Sequence, residues 1–387
     1  MKNKKRTVVI AIAVIILSLI SLKINFPDLT FPVINNYTTD PPAPSSNGSP
    51  YKLYYEKLSS VEKQAYNMIL DKIYDMPDKI LVPDVDEESL DNVFRALLYD
   101  NPDLFFIGRK CSVTAELWND FFSVEYIIDK SEYEKQKAEI DAVCDSIIAG
   151  LTDIDNQWQT ELEIHNWIVD HCNYKIEDKE YVYSSVYGSL VNNVAACEGY
   201  SKAAKLLLDK VGIENAVISG NASSSRQSGG SHMWNVVNVN GSWYHLDCTW
   251  DDPLTDKGSS VRLYTYFNVS DEVISKNHSD FSIDVSCTSN SENYYSATGL
   301  VYSDYGRVNE ADLASKIASQ YRAGERQIQI SFSNEKSYYA AHKQLIEEYR
   351  LSAILSGKKA TDGKSLVKKL KGYYDDDELF TLTLIFE

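Results

Sequence analysis

Cysteine is scarce, with six residues in 387, too few for a disulfide-held scaffold. No Cys-x-x-Cys pair exists to ligate zinc or run a redox cycle. Histidine is also rare, at six residues, and His165, His171 and Cys172 are not spaced to share a helix face as metal ligands do. A Gly-rich phosphate loop is missing. Gly229-Gly230 instead closes the polar run Ser223-Ser224-Ser225-Arg226-Gln227-Ser228, which reads as a flexible loop ending at His232. Positive charge is in short supply: 38 Lys and Arg stand against 56 Asp and Glu, a net charge of −18. Such a surface repels nucleic acid and anionic lipid, and excludes both as expected partners. The acidic run Asp375-Asp376-Asp377-Glu378 reads as solvated. No cofactor and no metal is expected, and no internal repeat is evident.

The first segment is different in character. Lys2, Lys4, Lys5 and Arg6 precede an uncharged, mainly apolar run of 16 residues, 7–22. That is short of the roughly 20 needed to span a membrane comfortably, yet longer than a usual signal core. The end of the run offers only Ser18 and Ser21 as small residues, so an Ala-x-Ala cleavage site is missing there, and no cysteine follows the run closely, which excludes a lipoprotein anchor. The basic flank places the N-terminus inside and the remainder outside. An uncleaved signal anchor is expected over residues 1–23, with a cleaved signal peptide as the alternative. Residues 24–50 hold six of the ten prolines, a disordered tether.

Beyond it, 51–148 reads as a mainly helical region. Glu62 to Met76 and Glu87 to Tyr99 are amphipathic, Asn101-Pro102 breaks the helix, and Phe121 to Ile128 alternates like a strand. Residues 149–288 form the expected core. Residues 289–387 read as a small α/β domain of unknown role, suited to substrate or cell-wall contact. Its parts are a strand at Ile328 to Phe332, a helix from Lys336 to Leu355 and a strand from Leu379 to Phe386.

Three residues in the core carry the chemistry. Cys197 lies in Ala196-Cys197-Glu198-Gly199-Tyr200-Ser201 and is followed by apolar residues at Tyr200, Ala203, Ala204, Leu207, Leu208 and Val211, one face of a helix that Gly212 would stop. In the first turn of that helix, the dipole and unpaired N–H groups lower a thiol pKa and can hold an oxyanion. His232 and Asp247 flank Asn240-Gly241, the preferred type I′ pair. In that hairpin Val239 faces Ser242, Trp234 faces Asp247 and His232 faces Thr249, so His232 and Asp247 share a face as diagonal neighbours. Met233, Val237, Val239, Tyr244 and Leu246 would form the core face. A thiol, a base and a group to orient that base are the three parts of a cysteine acyl-transfer site. His245 opposes Val236 and reads as a packing or supporting residue. Cys248 reads as core, and Trp234 and Trp250 as cleft walls or core. With Cys197 reduced, an odd number of cysteines remains, so at least one more is free. Whether Cys111 and Cys144 pair is left open.

These stretches, together with Tyr187-Gly188-Ser189-Leu190 and the block from Trp243 to Pro253, resemble the transglutaminase-like superfamily of bacterial extracytoplasmic type, across roughly residues 150–285. Ser231 stands where that family usually has Gly. The resemblance implies an α+β, papain-like core, with a Cys-bearing helix packed on an antiparallel sheet carrying His and Asp. It also implies acyl transfer on protein or peptide amides through a thioester, ending in hydrolysis or cross-linking. Cys197 would be nucleophile, His232 base then acid, and Asp247 the residue that orients His232. The alternative is a non-catalytic surface scaffold or adhesion protein that keeps the fold.

Overall fold

A computed structural model describes residues 50–116, 119–176, 182–223, 229–253 and 261–387. The expected anchor, the tether up to residue 49 and the loop residues Ser224 to Ser228 lie outside these. No helix among the described residues is long and apolar enough to cross a membrane.

The architecture is α+β. In chain order the elements that matter are α1 (Ser60–Ile73), β1 (Ile80–Val82), α2 (Glu87–Asp100), β2 (Ile107–Glu116), β3 (Asn119–Tyr126), α3 (Lys130–Ala149), α4 (Gln157–His171) and α5 (Cys197–Lys210). They continue with β4 (Asn215–Ala222), β5 (Gly230–Val239), β6 (Ser242–Leu246), β7 (His278–Ser279), β8 (Val301–Tyr302), α6 (Glu310–Arg322), β9 (Gln327–Phe332), α7 (Glu335–His342), α8 (Arg350–Ser356), β10 (Leu370–Asp376) and β11 (Thr381–Phe386).

Helix boundaries follow local chemistry. Ser59 and Glu62 form a reciprocal capping box at the start of α1. Asp86, Asp129 and Asn156 cap α2, α3 and α4 through their side chains. The N-terminal region also holds an antiparallel sheet in the order β1-β3-β2. Its β2 escaped the sequence reading because it is mostly exposed and carries no clean apolar alternation. The strand forms because β3 presents Phe121 and Phe122 opposite Thr114 and Val113.

The central sheet runs β6-β5-β4-β7, antiparallel throughout. Asn240 and Gly241 both have positive φ (52° and 83°), as a type I′ turn requires. The expected register holds from Val239–Ser242 to Asn235–Leu246 and then stops. Trp234 does not face Asp247, nor His232 Thr249, because the Asp247 carboxylate accepts from the Thr249 and Trp250 N–H groups and curls the chain out of the ladder. The Asp247 N–H bonds Tyr266 O instead, at 3.2 Å.

Helix α5 lies against this sheet, and Asn235 Nδ2 donates to Ser201 O across the contact (3.0 Å). Its stripe Tyr200, Ala203, Ala204, Leu207 and Leu208 is wholly buried. The helix ends at Gly212 (φ +77°), with Ile213 N bonding Leu208 O and Gly212 N bonding Asp209 O, a Schellman stop. One hydrophobic cluster runs from Leu53 through these elements to Tyr295.

A second cluster, from Leu300 to Phe386, fills the C-terminal part around a sheet in the order β8-β9-β11-β10, in which only β8 and β9 are parallel. Gln329 joins the two parts: its side chain accepts from Tyr264 N and donates to Arg262 O, and Tyr295 Oη donates to it. The single helix expected over Lys336 to Leu355 is interrupted. A π-turn at Lys343–Glu347 and Tyr349 at φ +56° separate α7 from α8.

Gly199 sits where Tyr183 O and the Ala195 Cβ would lie 2.5 and 2.7 Å from an added Cβ. Gly199→Ala should therefore cost about 1–3 kcal/mol through overpacking and push the first turn of α5 aside. Thermal unfolding against the parent chain measures this, and an unchanged Tm would contradict it.

Candidate active site

Cys197 opens α5 and is half-buried. Unlike α1 to α4, this helix has no side-chain cap: Ala196 occupies the N-cap and offers no acceptor. The first-turn N–H groups are therefore not taken by a capping side chain, and the positive end of the helix dipole meets the sulfur. Glu198, beside the thiol, is a half-buried anion. Burial favours its neutral form, but Lys202 (2.8 Å) and Arg109 (2.5 Å) hold its carboxylate below the usual range. Its charge is thus compensated locally and weighs little on a thiolate next door.

His232 is the third residue of β5, two positions after its first residue, Gly230. Its Nε2 lies 2.7 Å from Asp247 Oδ2, which leaves Nδ1 free to face Cys197, whose thiol interacts with the same ring. Burial alone would lower its pKa. The Asp247 carboxylate and the Cys197 contact outweigh that and push it up to about 10. The imidazole is charged at neutral pH, as a thiolate–imidazolium pair requires. Asp247 is itself completely buried, a state that favours the protonated carboxyl, yet the two histidines on it drive its pKa down.

Four hydrogen bonds reach the Asp247 carboxylate. Oδ1 takes the N–H groups of Thr249 (3.0 Å) and Trp250 (3.1 Å), and Oδ2 takes His232 and the Nε2 of His278 (3.1 Å). The loop that follows is pinned in turn. Asp251 Oδ1 accepts from Tyr266 N, and Asp251 Oδ2 meets Nε2 of the buried His165 on α4 at 3.1 Å. Trp234 is fully buried with its ring stacked near His232 (5.8 Å, 16°), and the half-buried Trp250 lies 5.7 Å from the same imidazole. One tryptophan thus backs the base and the other partly covers it.

The structure brings Cys197, His232 and Asp247 together although the register that foretold their meeting breaks before Asp247. His245 is elsewhere: its Nδ1 accepts from Trp234 Nε1 (3.1 Å) and its Nε2 donates to Asp271 (2.9 Å). Burial lowers its pKa, so it stays a neutral packing residue. Cys248 is buried, as read, and all six cysteines are free thiols, Cys111 and Cys144 included. His278 went unread. It sits 31 residues from Asp247 on another strand, in no motif, and nothing local marks it.

Two groups among the described residues have metal-ligating atoms within 4.8 Å: His232, Asp247 and His278, and His245, Asp271 and Cys287. In the second, the Nε2 of His245 must carry its proton because Nδ1 already accepts from Trp234, so no lone pair faces an ion. In the first, Asp247 Oδ2 is already shared by two ring N–H groups. Hydrogen bonding accounts for both.

With this geometry in place, comparison with known proteins is informative. Residues 141–248 match the family model of the transglutaminase-like superfamily. Two solved structures are similar. One is reported as a TGase, at 13% identity over 46% of this chain and 52% of that one, with a TM-score of 0.28. The other is reported as "a Putative Cysteine Protease from Cytophaga hutchinsonii", at 10% identity over 40% of this chain and 65% of that one, with a TM-score of 0.24. The chain thus matches about half the length of the solved TGase. No curated protein matches it.

The raised pKa of His232 has a thermodynamic consequence. An unfolded imidazole titrates near ~6.5, so the stability that His232 adds is complete below that pH and is lost as pH rises through about 10. The Tm difference between the parent and His232→Gln should be largest below pH 6.5 and shrink steadily towards pH 10. Melting curves at half-unit intervals test it; a difference that does not vary with pH would refute the charged pair.

Proposed function

We propose that this protein is an extracytoplasmic cysteine enzyme that cleaves or exchanges protein or peptide amide bonds through a thioester. The observation that carries the proposal is the position of His232, held by Asp247 through Nε2 and interacting with Cys197, which opens a helix without a side-chain cap.

In this reading the Cys197 thiolate adds to the amide carbonyl carbon, forming a C–S bond. The carbonyl π pair moves to oxygen, where N–H groups of the first turn of α5 stabilise the oxyanion. His232 gives its proton to the leaving nitrogen as the C–N bond breaks and the carbonyl reforms, leaving a thioester and a free amine. Water or a second amine then attacks the thioester, His232 takes the proton, and Cys197 leaves as thiolate. Water gives hydrolysis and an amine gives transamidation. Asp247 stays ionised and keeps the imidazole's orientation throughout.

A glutamine-containing peptide incubated with a labelled primary amine, followed by mass spectrometry, distinguishes the two outcomes. Cys197→Ala should abolish both release and incorporation, and Asp247→Asn should reduce turnover by about 10³–10⁴-fold with the fold retained. Turnover that survives Cys197→Ala would sink the proposal, and a parent chain that gives neither release nor incorporation would favour a scaffold.

The basic cluster, the apolar run 7–22 and the proline-rich tether support a location outside the cell, held to the membrane or released, with a cell-wall-associated protein or peptide as substrate. Full-length chain recovered in the membrane fraction and digested by protease added to intact cells is the expected result for an anchor. A protease-resistant cytoplasmic pool would contradict either form.

A further inference from the structure

We propose that His278 is a positioning residue for this reaction: its imidazole N–H holds the oxygen of Asp247 that His232 uses, fixing the carboxylate and tempering its hold on the His232 proton. The proposal rests on the assignment of Cys197, His232 and Asp247 above.

The first ground is convergence. An ionised carboxylate has about four acceptor sites, and all are used: two by backbone N–H groups and two by the Nε2 atoms of His232 and His278, at 2.7 and 3.1 Å on the same oxygen. Asp247 cannot turn without breaking one of these bonds in a site from which water is shut out. A carboxylate held only by His232 and Oδ1 contacts could pivot about Oδ1 and take the imidazole with it.

The second ground is the tautomer. Asp247 accepts only, so His278 must carry its proton on Nε2. Its Nδ1 lies 2.7 Å from the side-chain amide of Asn277, whose other end is 2.6 Å from the Tyr266 hydroxyl. Asn277 Oδ1 faces that nitrogen while Asn277 Nδ2 donates to the Tyr266 hydroxyl, so both ring nitrogens of His278 are held, one by the amide and one by Asp247. The ring is boxed by Trp250, Trp234 and Tyr266 at 4.7, 4.9 and 5.5 Å, and its backbone pairs with Ala222.

The charged and titratable groups facing this cluster are few. Cys197 comes from α5, His245 with Asp271 from β6 and the helix turn at Asp271–Ile274, His165 with Asp251 from α4 and the Asp247 loop, Tyr266 from the segment before β7, and Tyr174 beside Cys197. His165 and His245 each have an acidic partner. Asp247 is therefore the anion in contact with His232, and a second N–H on its oxygen draws off part of its charge. Without that N–H, His232 should hold its proton more tightly and in a less defined orientation.

Carboxamidomethylation of Cys197 by iodoacetamide, followed by mass spectrometry against pH on the full chain, reads this without knowledge of the substrate. His278→Leu should slow labelling at pH 7 by about tenfold, less than the ~10²-fold that a 1 Å misplacement can cost. It should also move the alkaline inflection up by roughly half a unit to one unit. His278→Gln, which returns an N–H near the Nε2 position, should restore most of the rate and the parent inflection. Asn277→Ala, which removes the side-chain partner of Nδ1 and loosens the ring, should fall between. A folded His278→Leu chain with the parent's rate and inflection would overturn the proposal. If His278→Leu does not fold, the other two decide: a parent-like Gln variant with a slowed Asn277→Ala supports it, and the reverse overturns it. Slow labelling of Cys197 in the parent would overturn the nucleophile assignment itself, whereas fast parental labelling indifferent to position 278 overturns only the role of His278.

Discussion

The site depends on one buried charge. Asp247 is a completely buried carboxylate, and an unpaired anion in that position would be strongly destabilising. Four donors make it tolerable, and they come from different parts of the chain: the turn that follows it, β5 and β7. The same bonds that stabilise the charge fix where β5 can lie relative to the 247–252 loop. Folding and chemistry therefore share a constraint, since satisfying Asp247 is also what aims His232 at Cys197.

A second layer holds the first in place. Asp251 continues the loop and is secured by His165 and by Tyr266 N, so α4 braces the turn from behind. The N-terminal region reaches the site through Arg109 on β2, which bonds both Ser184 and Glu198. The C-terminal part is tied in through Gln329. Outlying segments thus place charged or polar groups on the elements that carry the site. A truncation at either side removes partners as well as surface.

Local chemistry made much of this legible. The capping box at Ser59, the Schellman stop at Gly212 and the type I′ turn at Asn240-Gly241 each follow from a few adjacent residues. The apolar stripe of α5 is a one-dimensional pattern, and so is the alternation in β3, β9 and β11. Where the reading failed, a non-local term decided. Strand β2 has little apolar patterning of its own and forms by pairing with β3. The helix expected over Lys336 to Leu355 breaks at Tyr349, an exposed residue at positive φ between Leu345 and Leu351, which both lie in the second hydrophobic cluster. The hairpin register ends at Leu246 because a side chain outcompeted the ladder for two N–H groups.

By itself the sequence determined which residues could do chemistry, the helix on which Cys197 sits, the turn that brings β5 and β6 together, and the acidity of the surface. These depend on residue type and on spacings of a few positions. Only the tertiary structure decided that Asp247 would leave the sheet, that His165 would brace its loop through Asp251, and that His278 would become the second histidine on its carboxylate. Those contacts join residues 86 and 31 positions apart. No local periodicity encodes them. They arise because a buried anion must find donors wherever the packed chain supplies them.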